Sequence, residues 1–126
     1  MVTPYIAKGL WRGELSYVKY FFERPVRNML VLMLDWYIGV QSNFESNPGK
    51  LGKYYEQLLP PELWQKFVST FPDADEANIW RSLYTMGELF RETAKVVSDH
   101  YGFTYNEGED ERVTAYLKHV QSLPRS

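Results

Sequence analysis

The sequence predicts an all-α fold, a single bundle of five or six helices with no sheet. Three observations carry that expectation. No stretch alternates cleanly between apolar and polar residues, which is the period a half-buried strand requires. Apolar residues recur instead at helical spacing, most clearly from Val26 to Val40 and from Ile79 to Tyr101. Proline, glycine and capping residues punctuate the chain between such runs.

A length of 126 residues fits one domain, residues 1–126, with enough chain to bury a core. A composition 44% hydrophobic and 24% charged excludes wholesale disorder. Ten Tyr and four Trp call for places where a polar tip meets an apolar wall, such as a cleft or an interface. The net charge of −2 supplies no global field for nucleic acid, so no nucleic-acid partner is expected and any phosphate binding is local. Without cysteine, disulfides and thiolate metal sites are excluded. No apolar run approaches the roughly 20 residues of a membrane span, and the N-terminus lacks a charged segment followed by an apolar one. The expected setting is cytoplasmic, with no membrane partner.

Thr3 at a cap and Pro4 in the first helical position start a helix that runs to about Arg12. It bends at Gly13 and resumes from Glu14 to Phe22. Ile6, Leu10, Gly13, Tyr17 and Phe21, spaced four, three, four and four, form its expected buried stripe. Lys8, Trp11, Arg12, Leu15 and Lys19 fall opposite. Three cations and an indole can grip anionic oxygens and stack on a flat ligand. The same pattern also suits a plain solvated face with a hydrophobic clamp.

Pro25 is expected to break the chain by pushing Arg24 out of helical geometry, and to open a second helix over 25–43. Val26, Met29, Leu30, Met33, Tyr37 and Val40 mark its stripe, widened by Leu32 and Trp36. A helix so apolar reads as central, packed on more than one side. Residues 41–52, with Asn47-Pro48-Gly49, read as a loop. A short helix over 53–59 is closed by Pro60-Pro61. Pro61 opens another, through about Phe71, with Leu63, Trp64, Phe67 and Val68 as its buried side. Asp73 or Asp75 caps a long helix over 75–101, with Ile79, Leu83, Met86, Phe90, Val97 and Tyr101 inward and Gly102 at its end. The acids Glu107, Glu109, Asp110 and Glu111 suit the positive end of a last helix over 110–122. Val113, Tyr116, Leu117 and Val120 face inward on it.

No Walker loop, HExxH, metal-ligand cluster or Ser/His/Asp grouping is present. His100 and His119 read as cations near helix C-termini. Asp35 sits inside the most apolar helix, beside Trp36-Tyr37. An acid there needs a wet edge, a structural partner or a cationic ligand, with the structural pair the first expectation. Glu14 can serve a ligand amine or be ordinary surface.

The run YIAKGLWRGELSYVKYFFERPVRNML, followed in order by LDWYIGVQSNF, GKYYEQLLPPELWQKFVSTF and DERVTAYLKHVQSLP, covers nearly the whole chain from Val2 onward. These runs resemble the helical C-terminal domain of the aminoglycoside 6-adenylyltransferases, the streptomycin adenylyltransferase group. The resemblance implies an enzyme that transfers AMP from ATP to a hydroxyl of the antibiotic. In that family an N-terminal nucleotidyltransferase domain carries a Gly-Ser motif and paired metal-binding aspartates, and this sequence has neither pattern. The resemblance therefore implies a helical substrate-side domain or fragment, inactive alone. Its expected partners are the missing nucleotidyltransferase domain and an aminoglycoside, with streptomycin indicated. ATP and Mg²⁺ are implied for the full enzyme, and no cofactor, catalytic residue or metal ligand for this chain.

By motif position, AKGLWR would face the family's interdomain cleft. Lys8 and Arg12, with Lys19 beyond them, would lie on the nucleotide-phosphate side; Trp11, Glu14, Tyr17 and Asp35 would line the drug's side. Gly13 stands where the family run more often has a second Glu, which leaves out one acidic contact. A reading of another class is a stand-alone helical module that docks on a separate nucleotidyltransferase chain. A small helical enzyme of its own ranks below both, because residues for chemistry are missing. If the first helix is uncovered, Trp11 and Leu15 are expected to pair two copies in a homodimer.

Overall fold

Gly13 sets the first architectural feature. Helix α1 (Thr3–Arg12) closes with Gly13 in left-handed geometry, φ 74°. The Glu14 N–H donates to the Gly9 carbonyl at 2.9 Å and the Gly13 N–H to the Leu10 carbonyl at 3.1 Å. This pair of bonds is the Schellman closure, which satisfies carbonyls that a helix end otherwise leaves open. Helix α2 (Leu15–Phe21) follows at once and packs on α1. Gly9 permits that approach: a Cβ there would lie 2.7 Å from Val18 Cγ2 and 3.1 Å from the Tyr17 ring.

The computed structural model describes residues 3–49, 52–102 and 107–123. Among them there are seven α-helices and no strand, an all-α fold in which Gly13 ends α1 where a bend was expected. The chain divides into two compact units, one of residues 1–28 with 106–126 and the other of residues 29–105.

In the first unit, α1 packs on both α2 and α7 (Glu107–Ser122). Ile6, Ala7 and Leu10 of α1, Val18 of α2, Phe22, and Leu117 and Val120 of α7 are buried. Burying a side chain of this size contributes about 1.5–3 kcal/mol. The expected stripe is corrected beyond Leu10. Gly13 and Tyr17 are exposed and Phe21 half-buried, while Val18 and Phe22 take the inward positions; Leu15 is exposed as expected. A left-handed residue resets the helical phase, so spacing counted across Gly13 no longer marks one face. Tyr116 is half-buried, and the Val113 side chain lies outside the described ones. Helix α7 starts at Glu107, earlier than expected.

Pro25 does not break the chain. Residues Phe22–Val26 form a π turn with Pro25 inside it, leading into α3 (Arg27–Gln41). In an α-helix the proline ring clashes with the carbonyl four residues earlier and removes a donor. The wider π turn absorbs both effects. Arg27 is buried there, 3.4 Å from Glu23 and with its guanidinium 5.6 Å from the centre of the Phe22 ring. Burial lowers the pKa of Arg27, and Glu23 opposes that shift.

In the second unit, α3 buries Leu30, Leu34, Tyr37 and Ile38. It is not packed all round: Met29, Leu32 and Trp36 are exposed. A helix apolar on every side gives periodicity no means to choose a face. Its end repeats the closure of α1. Asn43 (φ 55°) and Phe44 (φ 61°) are both left-handed, with the Phe44 N–H donating to the Gly39 carbonyl at 2.6 Å.

Helices α4 (Tyr55–Leu58), α5 (Pro61–Val68) and α6 (Glu76–Tyr101) complete this unit. Pro61 opens α5, which ends at Val68 rather than Phe71. Leu63 and Phe67 are buried, Trp64 is half-buried and Val68 exposed. Asp75 caps α6 by accepting from the Asn78 N–H at 3.1 Å, and Gly102 (φ 74°) closes it. Ile79, Leu83, Met86 and Val97 are buried as expected, whereas Phe90 is half-buried and Tyr101 exposed near the helix end. Lys66 of α5 ties to α6 through Glu88 at 2.8 Å and through Glu92.

Candidate functional site

Helix α1 presents Lys8, Trp11 and Arg12 on the side away from Ile6 and Leu10. Lys8 and Arg12 are exposed and lie one turn apart, and among the described residues neither is in an ion pair. Two cations at this spacing can meet two anionic oxygens. Trp11 is half-buried, and its Nε1–H donates to the Leu123 carbonyl at 3.3 Å. The indole therefore ties α1 to the end of α7, with part of its ring accessible.

Beyond Gly13 the other first-unit candidates follow the new helical phase. Glu14 is exposed in the turn between α1 and α2. Tyr17 is exposed, with its ring 4.8 Å from that of Phe21 and one edge against Gly9. Lys19 is half-buried. Lys8, Trp11 and Arg12 thus share one helix face, and Lys19 does not continue it.

Asp35 belongs to the second unit. It is half-buried, and among the described residues its hydrogen-bond partner is Tyr55. The Tyr55 hydroxyl lies 2.5 Å from Asp35 Oδ1 and 3.1 Å from the Val31 carbonyl. The Tyr55 side chain is fully buried, its ring edge-on to Phe67 at 5.3 Å. Burial first, then the hydrogen bond to Asp35 and its charge, pushes the phenol pKa far up. One carboxylate oxygen is therefore held by a neutral phenol. Sequence reasoning singled out Asp35 and missed Tyr55. The available signal was chemical: a buried tyrosine needs an acceptor, and Asp35 was the one acid within an apolar helix.

No group of three His, Cys, Asp or Glu residues among the described residues can hold a metal ion. Among those residues no helix is long and apolar enough to cross a membrane.

The family model for streptomycin adenylyltransferase matches residues 1–120. The chain belongs to the streptomycin adenylyltransferase family. Aminoglycoside 6-adenylyltransferase from Bacillus subtilis (strain 168) is 31% identical over 120 residues, 95% of this chain and 42% of the relative. The Campylobacter jejuni protein of the same name is 31% identical over 115 residues, 91% of this chain and 40% of the relative. A crystal structure of an aminoglycoside 6-adenyltransferase from Bacillus subtilis superposes with a TM-score of 0.84 at 30% identity, covering 98% of this chain and 46% of that one. The chain thus spans less than half the length of the family members it matches.

Proposed function

We propose that this chain is the helical, substrate-side part of an aminoglycoside adenylyltransferase that transfers AMP from ATP to a streptomycin hydroxyl. One observation carries the reading: almost all of the chain matches less than half of proteins that bear this one activity. AMP transfer needs cations against a triphosphate, and carboxylates to clamp a metal there. The described residues of this chain offer the first and no group for the second. In this reading the carboxylates that hold the metal lie in the part of the relatives that this chain does not match.

In this reading Lys8 and Arg12, with Lys19 behind them, serve the phosphate side. Exposed cations add modest attraction individually and act by orienting the anion. Trp11, Glu14, Tyr17 and Asp35 serve the drug, a polycation that favours carboxylates beside aromatic faces. Asp35 suits that role because its hydrogen-bond partner among the described residues, Tyr55, is a neutral phenol. Pairing of two copies through Leu15 and the accessible part of Trp11 is proposed for the isolated chain. Sedimentation of wild type beside Leu15→Glu tests it.

The deciding experiment joins this chain to the part of the Bacillus subtilis enzyme outside the match. AMP transfer from ATP to streptomycin is then measured with Mg²⁺ present. The chain alone is expected to show none, and the joined protein to show transfer. Turnover by the pure isolated chain, or none from a folded joined protein, overturns the reading.

A further inference from the structure

Helix α3 carries a second apolar face that is exposed among the described residues. Met29, Leu32 and Trp36, spaced three and four residues apart, are 47%, 67% and 58% exposed. That spacing is the seam along which helices pack on one another. Gly39 continues the seam, and the Phe44 ring lies on it: a Cβ on Gly39 would come within 2.5 Å of that ring. Phe44 itself is 56% exposed. The strip therefore runs from Met29 to Gly39, about 15 Å along the helix. Between Asn28 and Gln41 the helix has one charged residue, Asp35, which is hydrogen-bonded to Tyr55. A face meant for water carries more charge than that.

We propose that this strip is the seat of the family polypeptide lying outside the present sequence. The proposal rests on the reading above, that the active enzyme contains that polypeptide. Two quantities choose this occupant. More than half the length of both relatives falls outside the match, which in the reading above supplies a covering partner of sufficient size. The second is area. Fully buried aromatic side chains cover about 150–250 Å² each, so four half-exposed large side chains offer about 400 Å². Two copies facing each other would bury about 800 Å² in all, the level of incidental lattice contacts and below the roughly 1,200 Å² of stable pairs. Interfaces between parts of one polypeptide run from about 600 Å² upward, and the connecting chain removes most of the cost of association. The strip is too small for a free partner and large enough for a tethered one.

Phe44 fits the same purpose. Two successive left-handed non-glycine residues each cost about 1–2 kcal/mol. The result is an aromatic ring laid on the uncovered face, where it extends the strip.

The absence of native cysteine gives a direct test. Leu32→Cys places a single thiol on the strip, and Gln65→Cys places one on the exposed side of α5 as a control. Maleimide labelling rates are compared in the chain alone and in the chain joined to the remaining Bacillus subtilis polypeptide, itself made free of cysteine. The Leu32→Cys thiol is expected to react at least tenfold more slowly in the joined protein, with the Gln65→Cys rate unchanged. Equal labelling of the Leu32→Cys thiol in both overturns the proposal. Protection in the chain alone that grows with protein concentration also overturns it, in favour of a second copy. AMP transfer, measured in parallel, separates the two readings. A protected thiol without transfer removes the adenylyltransferase reading and leaves the seat; transfer with a freely reacting thiol does the reverse.

Discussion

The Tyr55 hydroxyl meets the Asp35 carboxylate at 2.5 Å across a separation of 20 residues, with the Val31 carbonyl 3.1 Å away as a second acceptor. This geometry makes the two partners unequal. Tyr55→Phe removes the donor that holds Asp35 and is expected to cost about 1.5–3 kcal/mol, the range for a hydrogen bond to a charged group. Asp35→Ala leaves the buried hydroxyl an acceptor in Val31, so its cost should be smaller. Urea denaturation of both variants ranks them. A larger loss for Asp35→Ala would show that the carboxylate, not the phenol, is the structural member. In the joined enzyme, Asp35→Ala that remains folded and loses transfer assigns the acid to substrate.

The same pair sets an alkaline limit. Burial and the Asp35 carboxylate raise the pKa of Tyr55 above the ordinary phenol value of about 10. The unfolded chain therefore releases this proton first as pH rises. The contribution to stability is complete below about pH 10 and is lost progressively above it. Tyr37, raised by burial and by Glu92, adds in the same direction. Stability measured between pH 9 and 12 should fall, and more gently in Tyr55→Phe. Equal slopes in the two proteins would place the alkaline loss elsewhere.

Gly9 and Gly13 should fail for different reasons when replaced. At Gly13 a Cβ meets nothing within 4 Å, but φ is 74°. Gly13→Ala should cost about 1–2 kcal/mol from backbone geometry alone. At Gly9 the backbone is ordinary helix and a Cβ would strike Val18. Overpacking of that kind costs about 1–3 kcal/mol, partly offset by about 1 kcal/mol of better helix propensity. A double-mutant cycle distinguishes the two. Val18→Ala should relieve Gly9→Ala and leave Gly13→Ala untouched.

These glycines also mark how far the sequence could be read. Helix ends were legible because their causes are local: Gly13, Pro61, Asp75 and Gly102 each act on their own turn. Faces were less legible. The phase reset at Gly13 moved burial from Tyr17 and Phe21 to Val18 and Phe22, and spacing carries no information across such a residue. Pro25 predicted a break because a wider turn that absorbs it has no sequence signature. On α3 the uniform apolarity hid which side was covered. For the site, Lys8, Trp11 and Arg12 were legible as one helix face. Tyr55 as the partner of Asp35 was not, because it depends on tertiary packing between distant residues.

Lys8 and Arg12 give the sharpest separation of role from fold. Both are exposed, and among the described residues neither is in an ion pair. Surface substitutions of that kind usually change stability by less than about 0.5 kcal/mol. Lys8→Ala and Arg12→Ala should therefore leave the melting temperature of the chain nearly unchanged. In the joined enzyme each should lower AMP transfer by at least about tenfold, which corresponds to roughly 1.4 kcal/mol of lost transition-state stabilisation. The loss should appear with ATP concentration raised to saturation if the cations orient the phosphates in the transition state. It should vanish at saturation if they only hold ATP in the ground state. A lowered melting temperature for Lys8→Ala would make the residue structural. Unchanged transfer by both single variants and by the double variant would remove this face of α1 from the nucleotide site.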